Sequence, residues 1–373
     1  MSAATAMPLR VALFTRYTRL GASSRLRFLQ FLPLLHEQGI VVDVFPLFDD
    51  AYLAELYGQG RRSARRVLAT YRARLLALRA ARGHDLLWVE KELFPFLPRW
   101  LERAAQPRGL PVVVDYDDAV FHNYDRSRHS LVRRLLGRKI DDVMASAACV
   151  SAGNGYLAER ARSVGAARVM LVPTVVDVSR YAPKPAEPAS SSRPLVIGWI
   201  GSPATDAYVR PLAPVLREAC SGGRARVLLV GASAAAADAL PGVPVQMQPW
   251  AEQTEAAQIA SFDIGIMPLP DEPWARGKCG YKLIQYMACA LPVVASPVGV
   301  NRDIVEPGVT GFLASGDAQW RQAFEALLAD AALRQRLGEV GRQRVEQVYS
   351  MQVQGARIAA LLRQAAAGGR GAH

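Results

Sequence analysis

KCGYKLIQYMACALPVVASPVGVNRDIVEPGVTGFLA, residues 278–314, decides the reading of this chain. It opens on a lysine and a glycine. KLIQYMACA (282–290) then reads as a short, well-buried helix, and LPVVASP (291–297) as the last strand of a sheet. A glycine followed by a helix offers backbone N–H groups and the positive end of the helix dipole to an anion. Gly280 ahead of its helix is that arrangement, with the amides of Cys279, Gly280 and Tyr281 directed at a phosphate or a sugar. Lys278 and Lys282 flank the turn four residues apart, and Lys278, on the approach, is the expected diphosphate contact. Gln285, one helical turn on, can donate and accept to vicinal ribose hydroxyls. The plain alternative is a tight loop before a buried helix, with solvated lysines.

Outward from this stretch, short apolar runs alternate with helical spacing. LRVALFT (9–15), IVVDVF (40–45), DLLWVE (85–90), PVVVDY (111–116), CVSAG (149–153) and VMLVPT (169–174) read as strands of a first half. LVIGWIG (195–201), RVLLVG (226–231), VPVQMQ (243–248), FDIGIMPL (262–269) and LPVVASP belong to a second. Strands separated by helices argue for parallel βαβ units, hence α/β architecture with two doubly wound, Rossmann-like domains. APKPAEPASSSRP (182–194) lacks apolar periodicity and reads as the linker. The expected organisation is 1–181, linker 182–194, second domain 195–345, and a C-terminal helix over 346–373 packing back on the first domain and ending in a frayed tail. One helical run is expected from about Asp317 to Ala366. In open α/β sheets ligands bind beyond the carboxyl ends of the strands, so the two halves are expected to face a shared cleft.

The 278–314 block resembles the donor-binding signature of retaining family four of the GT-B glycosyltransferases, the glycosyl transferases group 1. Gly280, the QYMACA helix, Pro292, Val293, Val294, Ala295, Ser296, Gly299, Asp303, Gly308, Gly311 and Leu313 fall in its register. ASSRLR (22–27), VPTVVDVSRY (172–181) and IGWIGSP (197–203) resemble the family's first loop, first-domain end and second-domain opening. The resemblance implies a GT-B fold, a nucleotide-sugar donor held by the second half, transfer with retention, and no metal or other cofactor. Gly201 and Ser202 become donor contacts, and Trp250, after the VQMQ strand, either stacks on or walls the base pocket or is a structural tryptophan. Two departures stand out. The family's paired glutamates fall on Gly277 and Gln285, and only Arg210 is basic in GSPATDAYVR (201–210), where the family often carries an Arg and a Lys. Lys278 is expected to replace the missing cation.

The first half must then serve the acceptor. In VVVDYDDAVFHNYD (112–125), Asp115, Asp117 and Asp118 crowd the end of a strand. Asp118 or Asp117 can accept a proton from an acceptor hydroxyl or bind sugar hydroxyls, with His122 as a rival base. A capping role for Asp118 and a D-x-D metal site are the alternatives. Ser23, Ser24 and Arg25, with Arg27, follow the first strand and suit an anion on the acceptor side, or a serine N-cap before an amphipathic helix.

Composition narrows the class. The chain has 373 residues, 51% hydrophobic and 21% charged, a globular balance. No apolar run reaches the roughly 20 residues a membrane span needs. The N-terminus lacks the pattern of a secretory signal. Cys149, Cys220, Cys279 and Cys289 are scattered, which suggests neither zinc cluster nor disulfide framework and fits a reducing cytoplasm. Of the net charge of +12, residues 1–180 carry most, with 27 Lys and Arg against 17 Asp and Glu. RRSARRVLATYRARLLALRAAR (61–82) holds eight arginines and no acid. It reads as a solvated face, as a contact with an anionic membrane surface, or as a seat for a pyrophosphate-bearing acceptor. No nucleic-acid motif accompanies the charge. The expected function is sugar transfer from a nucleotide-sugar donor to a glycan or lipid-linked acceptor in envelope or extracellular polysaccharide synthesis, in the cytoplasm or peripherally on the inner face of the membrane. A nucleotide-sugar epimerase and a non-catalytic nucleotide- or carbohydrate-binding GT-B subunit are the rivals. The absence of G-x-G-x-x-G after the first strand of either half argues against a dehydrogenase.

Overall fold

The computed structural model describes residues 7–52, 55, 64–184 and 193–370. The chain packs as two compact units, Met1–Thr174 with Gln354–His373, and Val175–Val353.

The first unit carries β1 (Leu9–Phe14), helix α1 (Ala22–Arg27), β2 (Ile40–Val44), α2 (Ala64–Ala80), β3 (Leu86–Glu90), β4 (Val112–Tyr116), α3 (His122–Asp125), α4 (Ser130–Leu136), β5 (Cys149–Ala152) and β6 (Val169–Leu171). Its six strands are parallel, in the order β2-β1-β3-β4-β5-β6. All five residues of β3 are buried, as a strand covered by helices on both faces requires. That requirement is why the strands read as unbroken apolar runs.

The second unit carries β7 (Leu195–Ile200), β8 (Ala225–Val230), β9 (Val245–Gln248), β10 (Ile264–Met267), α5 (Tyr281–Ala288), β11 (Val293–Ala295), β12 (Gly311–Leu313), α6 (Gly316–Ala329) and α7 (Ala331–Val348). Its parallel sheet runs β12-β11-β10-β7-β8-β9. Successive residues of a strand face opposite sides of a sheet. Val196 and Ile200 of β7 accordingly join Leu283, Tyr286 and Phe262 in one core, while Ile197 and Trp199 join Leu216, Trp320 and Phe324 in the other.

Several expectations are refined. The 291–297 strand is not the last, because Gly311–Leu313 pairs beside it as β12. The single helical run splits into α6, α7 and α8 (Met351–Arg370). Asp330 is extended between α6 and α7, and its carboxylate accepts the Leu333 N–H at 2.9 Å as the cap of α7. Helix α8 continues to Arg370, with Ala365 and Ala366 buried; residues 371–373 lie outside the described residues. Val176 and Tyr181 pack into the second unit's core, so compact packing divides the chain at Thr174 and Val175 rather than after Tyr181. Of the linker, residues 185–192 lie outside the described residues. Its two ends are pinned to one carboxylate, since Lys184 and Arg193 both donate to Asp263. Residues 61–63 of the basic segment also lie outside the described residues, and the remainder forms α2.

Candidate functional site

In an open parallel sheet the crevice for a ligand opens at the carboxyl ends of the strands, where the strand order reverses direction. In the second unit that point lies between β7 and β10. A pocket occupies it, lined by Trp199, Thr205, Tyr208, Met267–Leu269, Lys278 and Lys282. The Lys278 ammonium lies 5.4 Å from the Trp274 ring centre, and that of Lys282 lies 5.4 Å from the Trp199 ring centre. An aromatic face steadies a cation without cancelling its charge. Gly280 opens α5 with φ 66°, a left-handed conformation, and a Cβ there would fall 2.2 Å from Ile304 Cδ1. Only glycine fits that turn. At Gly201 a Cβ would strike the Trp199 ring at 2.4 Å and meet Lys282 Cε at 3.0 Å, so the bare backbone lets both side chains close on the pocket. Ser202 is exposed in the following turn, its carbonyl accepting the Thr205 N–H at 2.9 Å. Cys279 is buried, as are the other three thiols.

Gln285 and Trp250 occupy a different setting from the one expected of ribose and base contacts. Gln285 is 2% exposed and donates Nε2 to the Tyr181 hydroxyl at 3.0 Å. That hydroxyl donates to Glu255 at 2.8 Å, and the Trp250 indole N–H donates to the other Glu255 oxygen at 2.8 Å. The Tyr281 hydroxyl stands 3.4 Å from that of Tyr181. Burial, with Tyr281 and Glu255 nearby, raises the Tyr181 pKa far above the ordinary phenol value. The hydroxyl therefore stays protonated and serves as a fixed donor. Glu255 and Tyr181 were not expected from sequence. An acid in the first turn of the apolar segment EAAQIA (255–260) was the signal for the first.

In the first unit the order reverses between β1 and β3. Lys91, the residue after β3, has φ 64°, and the Glu92 N–H bonds the Glu90 carbonyl across it at 2.7 Å. Its ammonium lies 2.8 Å from Asp117 Oδ1 and 3.7 Å from Asp118 Oδ2, and donates to Ser23 Oγ at 3.2 Å. Burial pushes the Asp117 carboxyl up, but the Lys91 charge and hydrogen bond, with Ser23 and Arg27, outweigh it and hold Asp117 at about 2. Glu90 is buried, accepting the Ser24 hydroxyl at 2.6 Å and the Arg16 N–H at 2.7 Å; burial raises its pKa against the pull of Lys91. Lys91 and Glu90 were not singled out from sequence.

Other acceptor-side expectations resolve into internal contacts. Helix α1 is six residues long and is preceded by Gly21 as its N-cap, so Ser24 is not the cap: it is fully buried on Glu90. Arg25 is buried and donates to the Arg19 carbonyl at 3.1 Å. Arg27 grips Asp115 through two bonds of 2.8 and 2.6 Å, with Ser151 donating to the same carboxylate at 2.5 Å. Arg27 and Asp115 thus form a buried structural pair, and Asp115 is withdrawn from any D-x-D arrangement. Among the described residues no group of three or more His, Cys, Asp and Glu is placed to hold a metal. His122 has both ring nitrogens engaged, with Asp125 at 2.8 Å and Tyr156 at 2.9 Å. Asp118 does not cap α3, whose N-cap is Phe121.

Two parallel six-stranded sheets with flanking helices are the fold of the GT-B class. The match to solved structures agrees. The chain resembles sucrose-phosphate synthase from Thermosynechococcus elongatus with a TM-score of 0.73 at 18% identity, over 96% of this chain and 100% of that one. It resembles Anabaena HepE, solved in complex with UDP, with a TM-score of 0.67 at 16% identity, over 95% and 100%. Within the second unit, residues 194–330 match the family described as Glycosyl transferases group 1. Among curated proteins the chain is 41% identical over 75 residues to alpha-maltose-1-phosphate synthase of Mycobacterium tuberculosis, covering 18% of this chain and 19% of that protein. It is 34% identical over 106 residues to D-inositol 3-phosphate glycosyltransferase of Pseudarthrobacter chlorophenolicus, covering 28% and 24%. These alignments span about a fifth to a quarter of the relatives' length.

Proposed function

We propose that the chain is a glycosyltransferase that moves a sugar from a nucleotide-diphosphate-sugar to a hydroxyl acceptor, with retention at the anomeric carbon. The observation that carries this reading is that Lys278 and Lys282, on either side of the left-handed Gly280 turn, both line the pocket at the reversal point between β7 and β10. As the bond from the anomeric carbon to the diphosphate breaks, the diphosphate leaves with the electron pair. The two ammonium groups and the positive end of α5 offset its growing charge. The acceptor oxygen forms the new bond to that carbon and its proton passes to a base, for which Asp117 and Asp118 are our candidates. The cationic work falls to lysines and a helix end, so the proposal includes no metal. The family match and the UDP held by Anabaena HepE support a nucleotide-sugar donor. A thermal-shift screen across UDP, GDP, ADP and their sugars tests it. A ligand at 100 times its Kd adds about 2.7 kcal/mol of stability, and no shift with any of them defeats the donor site.

We place the reaction at the inner face of the membrane, on a lipid-linked or glycan acceptor in envelope or extracellular polysaccharide synthesis. Among the described residues no helix is long and apolar enough to cross a membrane. The outward face of α2 nevertheless interleaves Leu68, Leu75 and Leu76 with Arg65, Arg72 and Arg79, the composition of a helix that lies on an anionic surface. Failure of the protein to bind phosphatidylserine vesicles at low salt defeats this placement. One observation favours a second reading, a non-catalytic binding subunit: Gly277 and Gln285 stand where the family carries glutamates. Tight nucleotide binding without turnover on any acceptor is its signature.

A further inference from the structure

We propose that the membrane contact of the first unit extends beyond α2 to a second surface, where the corner at Phe96–Leu101 enters the bilayer and the arginines around α4 hold anionic headgroups. The inference rests on the placement at the membrane proposed above and names the surface that penetrates.

Exposed apolar side chains gather on these elements. Phe96 is 51% exposed, Trp100 67%, Leu131 65% and Leu135 64%. Leu131 and Leu135, four residues apart, share one face of α4. Phe96 sits at φ 59°, a left-handed conformation that glycine takes without strain and phenylalanine takes at a cost. The corner is nevertheless held. The Phe96 N–H donates to the Tyr124 hydroxyl at 3.0 Å, and the two rings stand 5.3 Å apart. Tyr124 donates in turn to Glu92 at 2.8 Å. Lys139, three residues beyond α4, lies 2.6 Å from the Glu92 carboxylate and 3.3 Å from that of Glu102, and donates to the Phe94 carbonyl. One buried ionic knot therefore fixes the corner to the end of α4. The Tyr71 hydroxyl of α2 donates to the Pro95 carbonyl at 2.5 Å, so the corner is tied to α2 as well.

The charge of the surface selects its partner. RSRHSLVRRLLGRK (126–139), around α4, holds five arginines and no acid. All five are exposed, and among the described residues none pairs with a carboxylate; Arg128 donates to His129 and Arg133 to the Ser127 carbonyl. The acids of the corner and of α3 are engaged within the unit, Glu92 and Glu102 on Lys139 and Asp125 on His122 and Arg160. Cations interleaved with exposed leucine, phenylalanine and tryptophan call for a partner that offers anions and an apolar phase together. Nucleic acid offers phosphates without an apolar interior. An anionic bilayer offers both, and aromatic side chains settle at the level of its headgroups.

The test uses the full-length chain and vesicles of phosphatidylserine and phosphatidylcholine at low salt. Binding is read by co-sedimentation, and penetration by quenching of tryptophan fluorescence with brominated phosphatidylcholine. Quenching should occur in the wild type and be lost in Trp100→Phe, which still binds. Phe96→Gly combined with Trp100→Ser should weaken binding about tenfold or more, the effect of leaving two apolar side chains out of an apolar phase. Arg134→Gln and Arg138→Gln should each weaken it about fivefold, a loss that high salt erases. Trp100 and the arginines are exposed, so these variants should melt as the wild type does. Vesicle binding with Trp100 unquenched overturns the inference and leaves the α2 contact standing. Binding lost in Arg72→Gln with Arg79→Gln, yet untouched in the α4 variants, does the same. Loss in the corner and α4 variants alone supports the inference and removes α2 from the contact. Equal binding to phosphatidylcholine alone overturns the headgroup assignment. A concentration-dependent dimer that Trp100→Ser dissolves, without vesicle binding, assigns the surface to a second copy and overturns the inference.

Discussion

Replacing Gly280 with alanine tests the turn on which the proposed donor site is built. Two costs add. An L-residue in the left-handed region, where Gly280 sits at φ 66°, is destabilised by roughly 1–2 kcal/mol. The new methyl would fall 2.2 Å from Ile304 Cδ1, where carbon atoms prefer about 3.5–4.0 Å. Ile304 is fully buried and Val300 Cγ1 is also close, at 3.2 Å, so the clash cannot be relieved by a free swing of the side chain. Overpacking of this kind costs about 1–3 kcal/mol. The sum is about 2–5 kcal/mol, a fall in Tm of roughly 4–20 °C for a domain of this size. Ile304→Val removes the clashing Cδ1 alone, at about 0.5–1.5 kcal/mol. In that background Gly280→Ala should cost only the backbone share, about 1–2 kcal/mol. Urea unfolding of the wild type, both single variants and the double variant measures the cycle. A Gly280→Ala protein as stable as wild type refutes the left-handed turn, and a cost undiminished by Ile304→Val refutes the contact.

Lys278→Ala should lower kcat by about 10²–10³-fold, the usual effect of removing one well-aimed group at a developing charge, and leave Tm nearly unchanged; unchanged turnover removes Lys278 from the mechanism. Arg27→Ala leaves Asp115 buried without its bidentate partner and should cost about 3–5 kcal/mol in urea unfolding; a wild-type midpoint would show that the pair holds nothing together. Asp117, with an ordinary value of 3.8, is held at about 2 in the folded chain, so the unfolded state binds the proton first. Its contribution, about 2 kcal/mol, is present above about pH 4 and fades as pH falls through about 2. The stability gap between wild type and Asp117→Asn should therefore shrink across that window, and a gap independent of pH contradicts the ion pair.

Eleven apolar runs were readable as strands because a strand buried on both faces has little room for polar residues, and β3, wholly buried, is the extreme case. β12 escaped because GFL is three residues long in a glycine-rich turn, too short for periodicity to register. The break between α6 and α7 rests on one capping aspartate inside an otherwise continuous helical pattern, and such a residue reads equally well as a solvated face. The Gly280 turn and its lysines were legible because every participant lies within a few residues. Lys91 was not: its partners are Ser23, Asp117 and Asp118, brought together only when β3 and β4 lie side by side, and its left-handed backbone has no signature in a lysine. The Gln285–Tyr181 bond joins residues 104 positions apart, and Glu255 enters the same network from a third segment. Long-range polar pairing of this sort depends on the completed fold.

The charge of the first half looks at first like its function, and its placement argues otherwise. Residues 1–180 hold 27 basic and 17 acidic side chains, yet the reversal point of that unit is occupied by carboxylates gathered on a single lysine. Buried cations of the half are consumed internally, Arg27 on Asp115 and Lys139 on Glu92 at 2.6 Å. Arg65, Arg72 and Arg79 point outward from α2. A hydroxyl nucleophile needs a proton acceptor and gains nothing from a surplus of positive charge beside it, whereas a departing diphosphate needs cations and is opposed by carboxylates. The second unit, almost neutral overall, places Lys278 and Lys282 at its reversal point, and the first, strongly basic overall, places Asp117 and Asp118 at its own. Local charge at the strand ends therefore runs opposite to the bulk charge of each half. In the proposed function the local pattern carries the chemistry, and the bulk charge is left for the surface.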